Sequence, residues 1–338
     1  MYQILKRKLA LISLIVFAVI ALIFLAVFIT DLIRRRKSET KFHTKESLIA
    51  FALLLPATVL AFFLVVLPII FSLGYAFTDF ELNPDKVNNT TFVGLDQFKV
   101  IFQDLKNHLE IYDALRNTAI FVALVVPIQI LMALLLALFC NNKRKGTTVF
   151  KVCFFAPVAI SLSVTAFLWA IILSPDANGV ANLILSKLFG VTEPKGFFKD
   201  RNNAIIWMVL ISAWQGCGYQ MLIFLSALGN IRKDLYEAAA MDGANAFRRF
   251  FTVTLPGLKP TFLYILITVF VGACRVMIQP MILTGDDTNG LTLSLYMYNQ
   301  GLKNGSIAYS CAVAFLLTVI IGSITLLQRK LLGEKKKR

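Results

Sequence analysis

The chain has 338 residues, of which 58% are apolar, and it carries a formal charge of +15. Soluble domains are about 45–50% apolar, so the excess, gathered in blocks of about 20 residues, belongs to a chain whose helices cross a bilayer. The positive charge sits in short runs between those blocks, as membrane topology requires, and this excludes a nucleic-acid-binding surface.

The first block, Leu9 to Thr30, has an apolar core too long for a cleaved signal peptide. Asp31-Leu32-Ile33-Arg34-Arg35-Arg36 follows where a small-residue cleavage site would stand, so the block reads as a retained span. Six more spans are predicted at 48–77, 117–140, 152–174, 204–230, 261–284 and 306–328. Of the seven, only 261–284 holds a charged residue, Arg275. Pro56, Pro68, Pro127, Pro157 and Pro280 lie inside spans, where neighbouring helices can satisfy the carbonyls they free. The predicted fold class is all-α integral membrane with about seven transmembrane helices. The predicted organisation is an N-terminal helix and basic linker (1–47), a transmembrane domain (48–330) and a basic tail (331–338).

Basic residues set the orientation. Segments 31–47, 141–151 and 231–260 and the tail Lys335-Lys336-Lys337-Arg338 are rich in Lys and Arg and fall on one side, the cytoplasmic one. Loops 78–116, 175–203 and 285–305 lie opposite. Lys6-Arg7-Lys8 is then outside, outweighed by six basic residues after the first span; the alternative is that 9–30 lies differently and six spans form.

Between spans five and six lies a cytoplasmic segment long enough to fold. Asp234 is placed to cap a first helix, with Glu237 three residues on as in a capping box. Leu235 to Met241 is Ala-rich and helix-forming. Gly243 can take the left-handed conformation that ends a helix, and Asn245 can cap a second helix, which Pro256 is expected to stop. Such a knob presents Ala, Met and Phe beside charges, the mark of a protein-binding site; the alternative is an amphipathic loop lying on the headgroups. In the sixth span, Arg275 either faces a cavity or partner or snorkels to the outer headgroups.

Glu237-Ala238-Ala239, three residues, Gly243, nine residues, Val253, one residue, Leu255-Pro256 resembles the signature loop of permeases of binding-protein-dependent ABC importers. Asp242-Gly243-Ala244 and Leu258-Lys259-Pro260 resemble the carbohydrate branch, that of maltose, glycerol-phosphate and multiple-sugar systems. So do Phe92-Val93-Gly94-Leu95-Asp96-Gln97-Phe98, Asn117-Thr118, Pro157, Trp169, Gly179 with Asn182, Gly218-Tyr219 and Thr284-Gly285. The likeness runs from about residue 48 to 330; Asp286-Asp287 and Arg275 to Gln279 depart from it. The resemblance implies a type I importer permease core with one extra N-terminal helix, in a bacterial cytoplasmic membrane. It implies that segment 234–256, through Glu237, Ala238, Ala239, Asp242, Gly243, Ala244, Leu255 and Pro256, couples to an ATPase. It further implies a second homologous permease, two ATP-binding subunits that hold ATP and Mg, an extracytoplasmic binding protein and a carbohydrate solute. Gln129, Trp214, Gln215, Tyr219, Arg275 and Gln279 are then candidates for the solute pathway, since sugars are held by hydrogen bonds and stacking; the alternative for the polar ones is helix–helix hydrogen bonding.

No Gly-x-x-x-x-Gly-Lys-Ser/Thr loop occurs, so the chain is expected to bind no ATP that way and to be no enzyme. Five cysteines without a Cys-x-x-Cys, and two histidines placed on opposite sides, imply no disulfide framework, metal site or catalytic triad. An ion-coupled secondary transporter would need carboxylates inside the spans, and none is present.

Overall fold

A computed structural model of the chain describes residues 44–83, 90–141, 146–177, 179–191, 193–285 and 287–332, and most of these are helical. The expected first span (9–30), residues 31–43 of its basic linker and residues 333–338 of the basic tail lie outside the described residues. Helix α1 (Thr44–Ala61) passes through a π-turn, Phe62–Val66, into α2 (Leu67–Tyr75). An amphipathic helix, α3 (Asp96–Lys106), precedes the long α4 (Glu110–Asn141). Next come α5 (Thr147–Ala159), α6 (Leu162–Ile172), α7 (Val180–Phe189) and α8 (Arg201–Gly229). Two short helices, α9 (Lys233–Met241) and α10 (Ala246–Arg249), lead through a second π-turn, Phe250–Thr254, into α11 (Leu255–Cys274). The chain ends in α12 (Ile278–Leu283), α13 (Leu293–Tyr298) and α14 (Ile307–Leu332).

Among the described residues, five helical stretches are long and apolar enough to cross a membrane, and a bent pair makes a sixth. Two predicted spans are corrected. Span 152–174 is two helices meeting at 97°. Pro157 supplies no N–H to the last turn of α5, Ile160 is extended, and the Ser161 hydroxyl caps α6 by accepting from the Val164 N–H (3.3 Å). Span 261–284 ends early, at Cys274, and a break separates it from α12. Side chains farther along take the carbonyls that the break frees. Ser294 Oγ donates to the Cys274 carbonyl (3.2 Å) and Thr292 Oγ1 to that of Val276 (2.7 Å).

Of the three π-turns among the described residues, Phe62–Val66 and Phe250–Thr254 stand directly before a Leu-Pro pair, Leu67-Pro68 and Leu255-Pro256, and the third, Asn299–Lys303, follows α13. A proline ring collides with the carbonyl four residues back in a regular helix. The π-turn closes instead with Leu67 N–H to Phe62 and Leu255 N–H to Phe250, changing the register before the ring arrives. Pro256 therefore does not stop the second knob helix as expected; the helix runs on into the membrane.

The described residues form two compact units. One comprises those of Met1–Phe102 with Tyr298–Phe315. There Phe98 packs on Phe77 and Phe315, and the Asp79 carboxylate accepts from both the N–H and the hydroxyl of Thr91. The other comprises those of Gln103–Met297 with Leu316–Arg338. In it α8 is central and packs on α4, α5 and α11. Lipid offers apolar side chains as good a solvent as protein does, so close backbone approach holds such helices together. A Cβ added at Gly218 of α8 would lie 2.2 Å from the Phe154 carbonyl oxygen on α5.

The coupling knob and the candidate solute pathway

Knob geometry follows from local chemistry. Helix α9 begins at Lys233 with Arg232 at its N-cap, so Asp234 does not cap it as expected. The Arg232 guanidinium binds both Asp234 carboxylate oxygens and draws that side chain away from the cap role. The bond holds the Asp234 carboxyl below the usual carboxylate range and pushes the Arg232 guanidinium up. In the first turn of α9, the Asp234 charge also favours the helix dipole.

Gly243 has φ +75°. Its N–H donates to the Ala240 carbonyl (3.0 Å) and the Ala244 N–H to that of Ala239 (2.9 Å). This pair of bonds is the Schellman closure, which ends α9 as the sequence predicts. The Asn245 side chain then accepts from the Arg248 N–H (2.8 Å) and caps α10, also as predicted. The turn carries exposed Glu237, Ala238, Asp242 and Gly243, with Ala239 and Ala244 half-buried. Beside them Met241 is 89% exposed and Phe247 73% exposed. A hydroxyl pair ties α9 to the π-turn at the foot of the membrane helix: those of Tyr236 and Thr254 meet at 3.0 Å. Leu255 and Pro256 follow in the first turn of α11.

The six pathway candidates separate by exposure. Gln279 is 1% exposed, and its side-chain oxygen accepts from Ser212 Oγ of α8. Gln215 is buried; its Nε2 donates to the Ile160 carbonyl (3.2 Å) and to Thr165 Oγ1 (3.1 Å), filling the α5–α6 bend. Gln129 is buried against the backbone of Gly216. Half-buried Trp214 meets Trp169 edge-on at 5.8 Å. Tyr219 and Arg275 are exposed. Arg275 is not within a helix, as span 261–284 implied, but is the residue on which α11 ends.

The sequence reading missed Ser212, Thr292 and Ser294, single hydroxyls whose partners lie far along the chain. It marked Asn117, Thr118 and Asn182 without a role. Asn117 Nδ2 donates to the Thr288 and Leu291 carbonyls (both 3.0 Å), and Thr118 Oγ1 accepts from the Leu293 N–H (2.8 Å). The Asn182 amide clamps the loop after α6 by donating to Ser174 and Asp176 and bonding Lys195 in both directions.

Residues 105–333 match the family model of the binding-protein-dependent transport system inner membrane component. The chain belongs to this family of ABC transporter permeases. It is 34% identical over 250 residues to the arabinooligosaccharides transport system permease protein AraP of Bacillus subtilis, covering 73% of this chain and 78% of the relative. It is also 34% identical over 231 residues to the lactose transport system permease protein LacF of Rhizobium radiobacter, covering 67% and 77%. The fold of the permease matches a chain of a bacterial ABC transporter that imports the acidic polysaccharide alginate, with TM-score 0.73, 23% identity and coverage of 87% and 98%. The permease is thus an all-α, multi-pass inner-membrane protein, a transport component that depends on a binding protein.

Proposed function

We propose that the permease carries a carbohydrate, an oligosaccharide, into the cytoplasm when an extracytoplasmic binding protein delivers it and ATP drives the cycle. Support comes from the family match over residues 105–333 together with relatives whose names specify arabinooligosaccharide and lactose transport. The chain does no chemistry in this reading. A second homologous permease completes the pathway, and two ATP-binding subunits hold the ATP and Mg. Residues 48–330 form the translocating domain, 1–47 an additional helix and linker, and 331–338 a basic tail, with the knob inside and loop 78–116 outside.

The knob at 234–256 is the ATPase dock. Its exposed Met241 and Phe247 beside Glu237 and Asp242 suit a protein partner. From Ala246 to Cys274 the chain is one helical stretch of 29 residues, about 44 Å at 1.5 Å per residue, so movement of the knob reaches Arg275 directly. The Tyr236–Thr254 bond ties α9 to the foot of that rod. Tyr236→Phe removes about 0.5–1.5 kcal/mol of coupling. Solute moved per ATP hydrolysed should then fall about two- to tenfold while ATP hydrolysis continues, measured on the purified complex in liposomes.

Arg275 and Tyr219 are the pathway candidates that exposure favours, with Trp214 behind them; Gln129, Gln215 and Gln279 hold helices together around them. An ion-coupled transporter is the second reading, and the absence of Asp and Glu from the spans weighs against it. Affinity purification of the tagged permease from its native membrane tests the assembly. It should bring down one related permease and two copies of an ATP-binding chain; a permease that purifies alone or as a homo-oligomer contradicts the reading.

A further inference from the structure

Two hydrogen-bonded ladders fix the depth of Arg275. Asp113 on α4 and Arg201 at the start of α8 form an ion pair (2.7 Å), so both ladders start from one level. Thr118 lies five residues below Asp113, about 8 Å along α4, and accepts from Leu293 beside Thr292, which donates to the carbonyl of Val276. Ser212 lies eleven residues below Arg201, about 16 Å along α8, and donates to Gln279. The backbone at Arg275, next to Val276 and four residues from Gln279, therefore lies about 8–16 Å along the helices from the Asp113–Arg201 pair, within the apolar block 261–284.

A charge at that depth is costly and marks a site. Arg275 is not there to finish α11, because Ser294 and Thr292 already take the carbonyls of Cys274 and Val276. Non-helical backbone at membrane depth occurs where protein buries it or where it lines a water-filled cavity, and the Arg275 side chain is exposed. Among the described residues no carboxylate pairs with it, and the spans contain no Asp or Glu.

We infer that the solute brings the missing anion: the permease takes an acidic carbohydrate, whose carboxylate or phosphate pairs with the Arg275 guanidinium on its way through. The planar guanidinium suits either group, because both accept two parallel N–H bonds. This inference rests on the solute-pathway reading above and adds the charge class of the solute.

The test uses the complete complex with its native subunits in lipid nanodiscs. It is soaked in an equimolar mixture of oligogalacturonides, hexose phosphates and neutral malto-oligosaccharides, desalted, and the retained solutes are identified by mass spectrometry. Wild type should retain an anionic sugar at least tenfold over the neutral ones, and whether uronate or phosphate is retained identifies the anion. Arg275→Gln should lose that sugar, and Arg275→Lys should keep part of it. Preferential retention of a neutral sugar, or an anionic sugar held equally by Arg275→Gln, overturns the inference. So does an anionic phospholipid that co-elutes in an Arg275-dependent way while sugar binding is unchanged. A complex that retains no sugar of any kind contradicts the pathway reading itself.

Discussion

Gly243→Pro permease should reach the membrane in normal amount and import solute about 30-fold more slowly than the wild type. Residue 243 stands at φ +75°, which proline, fixed near φ −65°, cannot adopt. Its N–H also closes the turn onto Ala240, and proline has none to give. Without that closure the Ala244 bond to Ala239 is lost as well. Two bonds of about 1 kcal/mol each reduce the population of the correctly turned knob by about 30-fold. Gly243 has no heavy atom near its Cβ position, so the fault stays local and the transmembrane packing survives. Gly243→Asn is the companion variant, because asparagine visits the left-handed region more readily than other side chains; it should keep most of the transport. Uptake by cells matched for permease abundance checks both. Wild-type uptake by Gly243→Pro would remove the knob from the coupling path.

Gly218→Ala acts at the opposite level, on assembly. Its new methyl would sit 2.2 Å from the Phe154 carbonyl oxygen and 3.0 Å from the Phe155 Cα, and both are backbone atoms that no side-chain rotation can move. Helices α5 and α8 must separate or α5 must shift. Overpacking of this kind costs about 1–3 kcal/mol, so the solubilised complex should melt several degrees lower and accumulate poorly. Gly272→Ala is the control, since nothing lies within 4 Å of its Cβ position. Thermal melting of the two variants side by side should show a loss for Gly218 and none for Gly272.

The parts of the fold that local chemistry decides could be read from the sequence. The Gly243 turn and the Asn245 cap each need only residues within four positions, and both stand where expected. Among the described residues the apolar blocks located the spans 48–77, 117–140, 204–230 and 306–328 for the same reason, and α4 and α8 merely extend farther at their outer ends, to Glu110 and Arg201. What failed depended on distant partners. The 97° bend at Ile160 leaves the block as apolar as a straight span, and its freed carbonyl is taken by Gln215, 55 residues on. The end of α11 at Cys274 relies on Thr292 and Ser294, hydroxyls that look like ordinary loop residues. Pro256 was misread as a stop because a π-turn, invisible in composition, carries the helix past it. The pathway candidates rest on residue type and depth in the spans, and neither says that Gln279 is buried between helices and Arg275 exposed.

Uptake of labelled carbohydrate by the complex in liposomes, with its binding protein outside and ATP inside, tests the account most directly. Import that requires both ATP and the binding protein, and that persists when proton and sodium gradients are collapsed, is the predicted result. Import that proceeds without ATP and stops when an ion gradient is removed would contradict it.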